Sequence, residues 1–280
     1  MNRVYSLHPS HLGVRRIGDM QIGSHMNYGL QISASGALAS IHQQDALTNN
    51  LANVNTAGFK PILTGTMQRL AVRQEDGLPQ FSSNELLEKL GGGVFAAQTR
   101  INFAQGSLET SDSDFDMAIQ GDGFFVIGDA ASPSLTRDGR FTVNRDGQLV
   151  MSTNGAPVLS VKDKPITIDM TQGEIAVSKD GVISQGGLAV DQIKISDVPD
   201  RSILTKLGSG LFGSQTGSAL SLIEGQGSIL QGMLEGSGVS EIDALMQIQS
   251  ASKSAQGNIG MIDMQNRLME RAINTFGRIA

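Results

Sequence analysis

Five Asp-Gly or Asn-Gly pairs fall between Ile101 and Gly236: Asp122-Gly123, Asp138-Gly139, Asp146-Gly147, Asn154-Gly155 and Asp180-Gly181. Most separate short apolar runs such as Phe124-Phe125-Val126-Ile127, Phe141-Thr142-Val143 and Gln148-Leu149-Val150. Asp-Gly reaches the positive φ of two-residue turns, so this stretch reads as serial antiparallel hairpins. Of 280 residues 34 are Gly and only 7 are Pro, which favours tight turns over collagen-like or Pro-rich disorder.

On both sides of this β region the apolar period changes to that of a helix. Steps of 4 and 3 from Leu30 pass through Ala34, Ala37, Ile41, Gln44, Thr48 and Leu51, a narrow seam within a helix predicted over about Tyr28–Val54. Asn53-Val-Asn55-Thr-Ala-Gly58 ends it, because Asn and Gly tolerate left-handed backbone at a helix stop. A second helix is predicted from Val239 to the end. Ser240 suits its N-cap, and Glu241 and Asp243 its positive first turn. Its seam runs through Leu245, Ile248, Ser252, Ala255, Ile259, Ile262, Asn266, Met269, Ile273, Phe276 and Ala280. That pattern fits a coiled-coil contact and fits equally a helix folded onto the β region's own core. Gly257 and Gly260 weaken this helix in isolation, which calls for packing partners.

The expected fold class is therefore α+β. Residues 1–25 read as a disordered extension, with His8, Pro9, His11 and Gly13 breaking any helical pattern. Residues 26–60 carry the first helix and residues 101–236 a mainly antiparallel β domain. Residues 237–280 carry the second helix. Residues 61–100, interrupted by Gly91-Gly92-Gly93, read as an extended hairpin or long loop.

The net charge of -6, with no basic run, argues against nucleic acid as a partner. The chain has no Cys, which excludes disulfides, thiolate catalysis and Cys-ligated zinc. No stretch approaches the roughly 20 apolar residues of a membrane span, and the basic N-terminal residues lack the apolar segment of a Sec signal peptide. Asp112-Ser-Asp114-Phe-Asp116 begins like a calcium loop, but Met117 and Gly123 stand where that loop needs Gly and Glu. His8, His11, His25 and His42 form no metal-binding pair with a third ligand, and no nucleophile elbow or phosphate loop occurs. No enzyme activity and no cofactor are expected.

Thr48-Asn-Asn-Leu-Ala-Asn-Val-Asn-Thr-Ala-Gly-Phe-Lys60 resembles the N-terminal signature of flagellar basal-body rod and hook proteins. Gln105-Gly-Ser-Leu-Glu-Thr110, Phe115-Asp-Met-Ala-Ile-Gln-Gly-Asp-Gly-Phe-Phe125 and Thr136-Arg-Asp-Gly-Arg-Phe141 are similar to the family's β domain in order and spacing. Gln231-Gly-Met-Leu-Glu-Gly-Ser-Gly-Val239 resembles a third block, with Gly238 in place of the usual Asn. Ser252-Lys-Ser-Ala-Gln256 departs from the family's Arg-Ala-Tyr-Glu-like string.

The resemblance implies a structural rod subunit that leaves the cytoplasm through the flagellar type III export apparatus. It implies self-association, and association with other rod and hook proteins, into a hollow periplasmic tube that transmits torque. The terminal helices would form the inner domain and the β domain would lie outside. Length favours rod over hook, since hook subunits carry additional outer domains. A hook or other axial homologue is the alternative, and a cell-wall-binding module or hydrolase a more distant one. The residues singled out for motif or interface roles are Asn49, Asn50, Leu51, Asn53, Asn55, Gly58 and Phe59. On the second helix they are Leu245, Ile248, Ile259, Ile262, Met269, Ile273 and Phe276. The Asn side chains could bond neighbouring subunits or only cap their own helix. Phe59 could anchor the loop on a β domain or pack in an ordinary core.

Overall fold

A computed structural model describes residues 28–70, 91–169, 171–214 and 220–276. The expected N-terminal extension, residues 1–25, lies outside the described residues, as does the centre of the 61–100 linker. As expected, one helix stands near each end of the chain with a mainly antiparallel β region between them.

Helix α1 spans Tyr28–Ala52 and helix α2 spans Glu241–Phe276. They pack antiparallel: a Cβ on Gly36 would sit 2.9 Å from the Asn258 amide, and Ser40 Oγ lies 3.1 Å from Ser254 Oγ. Small side chains permit this approach. Ser33, Ala37 and Ser40 of α1 are buried, as are Ala244, Ala251 and Ala255 of α2. The α1 end is built from Asn: Asn53 Nδ2 donates to Asn49 O, and Thr56 Oγ1 to Asn53 Oδ1. Ser240 Oγ accepts from Asp243 N at the α2 start, with Glu241 and Asp243 in the first turn.

Beyond α1 the strands Ile62–Leu63 and Thr66–Gln68 pair antiparallel with Arg100–Ile101 and Val94–Ala96. This ladder lies along α1, because Val94 N donates to Ser35 Oγ at 3.2 Å. Gly93 is obligatory there: its φ is 103°, and a Cβ would fall 2.3 Å from Ser35 Oγ.

The β domain centres on a six-stranded antiparallel sheet. Its order is Leu204–Gly208, Leu211–Ser214, Ser132–Thr136, Phe124–Asp129, Ile195–Asp197, Ile223–Glu224. The strand Phe124–Asp129 is buried on both faces. Phe125 and Ile127 enter one core with Phe141, Leu149 and Ile183, whereas Phe124 and Val126 enter another with Leu135, Leu159 and Phe212. A continuous apolar run, rather than an alternating one, fits that two-sided burial. Edge-to-face ring pairs, Phe125 with Phe141 and Phe124 with Phe212, add directionality to each core.

Asp146-Gly147, Asn154-Gly155 and Asp180-Gly181 each reverse the chain with a positive φ at the Gly. Asp138-Gly139 does not. Gly139 lacks a positive φ and presses on another strand: a Cβ there would meet Met117 O at 1.5 Å. Asp138 instead accepts from Arg140 through Nε at 2.9 Å and Nη2 at 2.7 Å. This Gly serves close backbone approach rather than a turn.

Candidate functional site

The quoted sequence strings converge where the helical pair meets the β domain. Lys60, two residues after the α1 stop motif, is 1% exposed, and Glu235, in the strand Met233–Glu235, is also 1% exposed. Lys60 Nζ lies 2.5 Å from Glu235 Oε1, and Arg137 Nη1 lies 3.1 Å from Glu235 Oε2. Gly106 N donates to Glu235 Oε1 at 2.8 Å, and Lys60 also donates to Ala104 O at 2.8 Å. Arg137 Nη2 donates to Gly121 O at 2.7 Å. Burial pushes the Lys60 and Arg137 pKa values down, and the Glu235 carboxylate opposes that shift in both. A carboxylate with three charge-assisted or backbone donors is well satisfied, whereas either cation alone would carry an uncompensated desolvation cost.

The backbone is threaded as tightly. Gly58 N donates to Glu235 O at 2.7 Å, Gly238 N to Phe59 O at 2.9 Å, and Gly236 N to Ser107 O at 2.7 Å. Gly58 has φ 65°, and a Cβ on it would sit 2.3 Å from the Arg137 backbone, so two independent constraints demand Gly. Phe59 is buried with the Lys206 ammonium 3.7 Å from its ring centroid. Burial pushes Lys206 down to about 8. Arg201 extends the charged layer outward, bonding Asp122 at 2.7 Å and Asp197 at shorter range.

The sequence-predicted residues fall into three groups. Asn50, Gly58 and Phe59 are buried in this junction or beside it. Asn50 binds its own chain: Nδ2 donates to Ile62 O at 2.8 Å, and Oδ1 accepts from Ile62 N at 2.9 Å. Leu51 and Asn53 are half-buried, and Asn49 and Asn55 are exposed. On α2, Ile248 and Ile262 are half-buried, while Leu245, Ile259, Met269 and Ile273 are exposed, Ile273 by 71%. Phe276 closes the helix, and Ala280 lies outside the described residues. The outward apolar set also includes Ile242, Met246, Met261, Met264 and Leu268, so large side chains point away from α1 while Ala faces it.

Lys60, Arg137 and Glu235 were missed by sequence reasoning as site residues. Each sits inside a quoted string, but local periodicity cannot reveal a pairing across 175 residues. The available signal was a charge embedded between apolar or Gly neighbours, as in Leu234-Glu235-Gly236 and Phe59-Lys60-Pro61.

Among the described residues no group of three or more His, Asp or Glu could hold a metal ion, and no helix is long and apolar enough to cross a membrane. A cavity of about 540 Å³ is lined by Asp180, Lys194 and Glu224 among others. Its Lys194 is engaged by Asp163 at 2.5 Å.

Residues 30–60 match the family described as flagella basal body rod protein, and residues 118–185 match the flagellar hook protein FlgE/F/G D1 domain. The chain is 35% identical over 259 residues to the flagellar basal-body rod protein FlgF of Caulobacter vibrioides, covering 91% of this chain and 100% of the relative. It is 30% identical over 267 residues to the flagellar basal-body rod protein FlgG of Borreliella burgdorferi, covering 89% and 98%. A FlgF of Rhizobium meliloti is 27% identical over 259 residues, covering 90% and 99%.

Proposed function

The chain belongs to the flagellar basal-body rod protein family and is a structural subunit of that kind, and on this premise we propose how it assembles. Copies associate with one another and with other axial proteins into a hollow helical tube that carries torque from motor to hook. The two helices form the inner domain through coiled-coil-type contacts, and the β domain faces outward. The working division is residues 26–60 and 237–280 for the inner domain, 61–100 for the linker and 101–236 for the outer domain. The subunit acts in the periplasm, reaches it through the flagellar export apparatus, and performs no catalysis.

The observation that carries this reading is the row of exposed apolar side chains on α2, including Ile259, Met264, Leu268 and Ile273. A helical filament needs heterologous contacts that do not close within one subunit. Apolar surface left outside the α1–α2 seam supplies such a contact, and its burial between subunits offsets the ordering cost.

The test is light scattering against concentration on the full chain and on a Leu268→Ser/Ile273→Ser variant. Long assemblies from the parent chain, reduced at least tenfold in the variant at equal concentration, support the proposal. A parent chain that stays monomeric at every concentration, alone and with other axial subunits added, would overturn it.

A further inference from the structure

Three stretches of chain meet between the helical pair and the β domain: the segment leaving α1, the segment around Gly106, and the segment entering α2. All three are tied to one side chain. Glu235 Oε1 takes Lys60 Nζ from the first and Gly106 N from the second, and Glu235 itself stands on the third. Its Oε2 takes Arg137 from the β domain, and its carbonyl takes Gly58 N. We infer that the Lys60–Glu235–Arg137 cluster is an electrostatic latch that sets the angle between the helical pair and the β domain.

Directionality separates this cluster from apolar packing. Apolar contact is non-directional and tolerates sliding, so a junction packed with Leu and Val would be satisfied over a range of angles. Charge-assisted hydrogen bonds at 2.5–3.1 Å, placed on both oxygens of one carboxylate, are satisfied at one geometry. Rotation of the helices about the junction would pull Lys60 or Gly106 away from Glu235 and leave a buried charge without its partner. The same latch disfavours a half-seated state, because Lys60 and Arg137 cannot both stay dry without the carboxylate. A single unshared buried cation is already costly; two beside each other also repel. The latch acts within one chain, whether or not copies assemble.

The absence of Cys makes a clean distance measurement possible. Spin labels are placed through Gln256→Cys on the exposed face of α2 and Arg145→Cys on the exposed surface of the β domain. The distance distribution is then recorded in the full chain. The parent should give one narrow distribution. Glu235→Gln, which keeps shape and loses charge, should at least double its width. Amide exchange should rise at least tenfold at residues 58–61 and 104–107 and stay unchanged at Phe124–Ile127. A triple variant, Lys60→Met/Arg137→Met/Glu235→Leu, guards against a fold lost through stranded charge. It should unfold at a urea concentration no lower than Glu235→Gln and still give the broad distribution. A narrow parental distribution in either variant would overturn the latch, because packing alone would then set the angle. Equal loss of exchange protection at the junction and at Phe124–Ile127 in Glu235→Gln would overturn it as well, since the cluster would then be ordinary β-domain core.

Discussion

In the β domain the largest fully buried side chains include Phe124, Phe125, Phe212, Met117 and Ile119; the buried residues of α1 and α2 are mostly small, among them Ala37, Ser40, Ala244, Ala251 and Ala255, with Leu47 the large apolar exception. Burying a large apolar side chain contributes about 1.5–3 kcal/mol, and an Ala methyl only a fraction of that. The β domain thus holds a core of its own. The helical pair gains close approach and directed Ser contacts but little apolar burial, and turns Met264, Leu268 and Ile273 to the outside. One region is finished within the chain, and the other spends its large side chains on its surface.

The sharpest attack on that contrast is Phe125→Ala. Phe125 is 0% exposed and central to one β core, so its loss should cost about 3–5 kcal/mol in urea unfolding and melt the whole β domain. A cost below about 1 kcal/mol would mean the β domain does not rely on this core. Ala255→Leu attacks the other side. Overpacking the α1–α2 seam should cost about 1–3 kcal/mol, seen as faster amide exchange in α1 and α2 with Phe124–Asp129 still protected. Equal loss of protection in both regions would show that they unfold as one unit and that the comparison has no energetic content.

The contact between the two regions can be read by pH. Lys206, on the β-domain strand Leu204–Gly208, faces Phe59 beyond α1 and is pushed down to about 8 from 10.5 by burial. The folded chain therefore releases this proton at lower pH than the unfolded chain. Between about 8 and 10.5 the unfolded state holds more protons, so the Lys206 contribution to stability rises as pH rises through that window. Below about 8 both states are protonated and this contribution is flat. Lys206→Met should remove the rise; an unchanged pH slope in the variant would assign it to another group. The smallest effect on the isolated chain is expected for Leu268→Ser. Exposed by 58%, Leu268 should change unfolding free energy by no more than about 0.5 kcal/mol, while assembly weakens.

Much of the architecture was legible from period and turn chemistry. The 3–4 spacing around Ala37 and Ala255 announced helices, and Asp146-Gly147, Asn154-Gly155 and Asp180-Gly181 occupy positive-φ turns. The face that each helix buries was less legible. The predicted α2 seam meets the buried face at Ala255 and at half-buried Ile248 and Ile262, but it also takes exposed Leu245 and Ile259, while buried Ala244 and Ala251 lie one position away from it. Apolar periodicity finds greasy side chains, and here close approach selects small ones. Asp138-Gly139 read as a turn because its dipeptide is a turn dipeptide; the strand pressing on Gly139 comes from Met117, more than twenty residues earlier. The junction was least legible of all, since Lys60, Arg137 and Glu235 gain their meaning only from one another.

The Lys60–Glu235 contact has a consequence in time. Its members are separated by 175 residues, so the loop it closes takes in the whole β domain. Closing so long a loop is entropically costly until the contacts inside it have formed. A chain that emerges from its N-terminus therefore waits for Glu235 before its first helix can be seated. The ion pair thus ties the seating of the first helix to completion of the β domain enclosed between its two members.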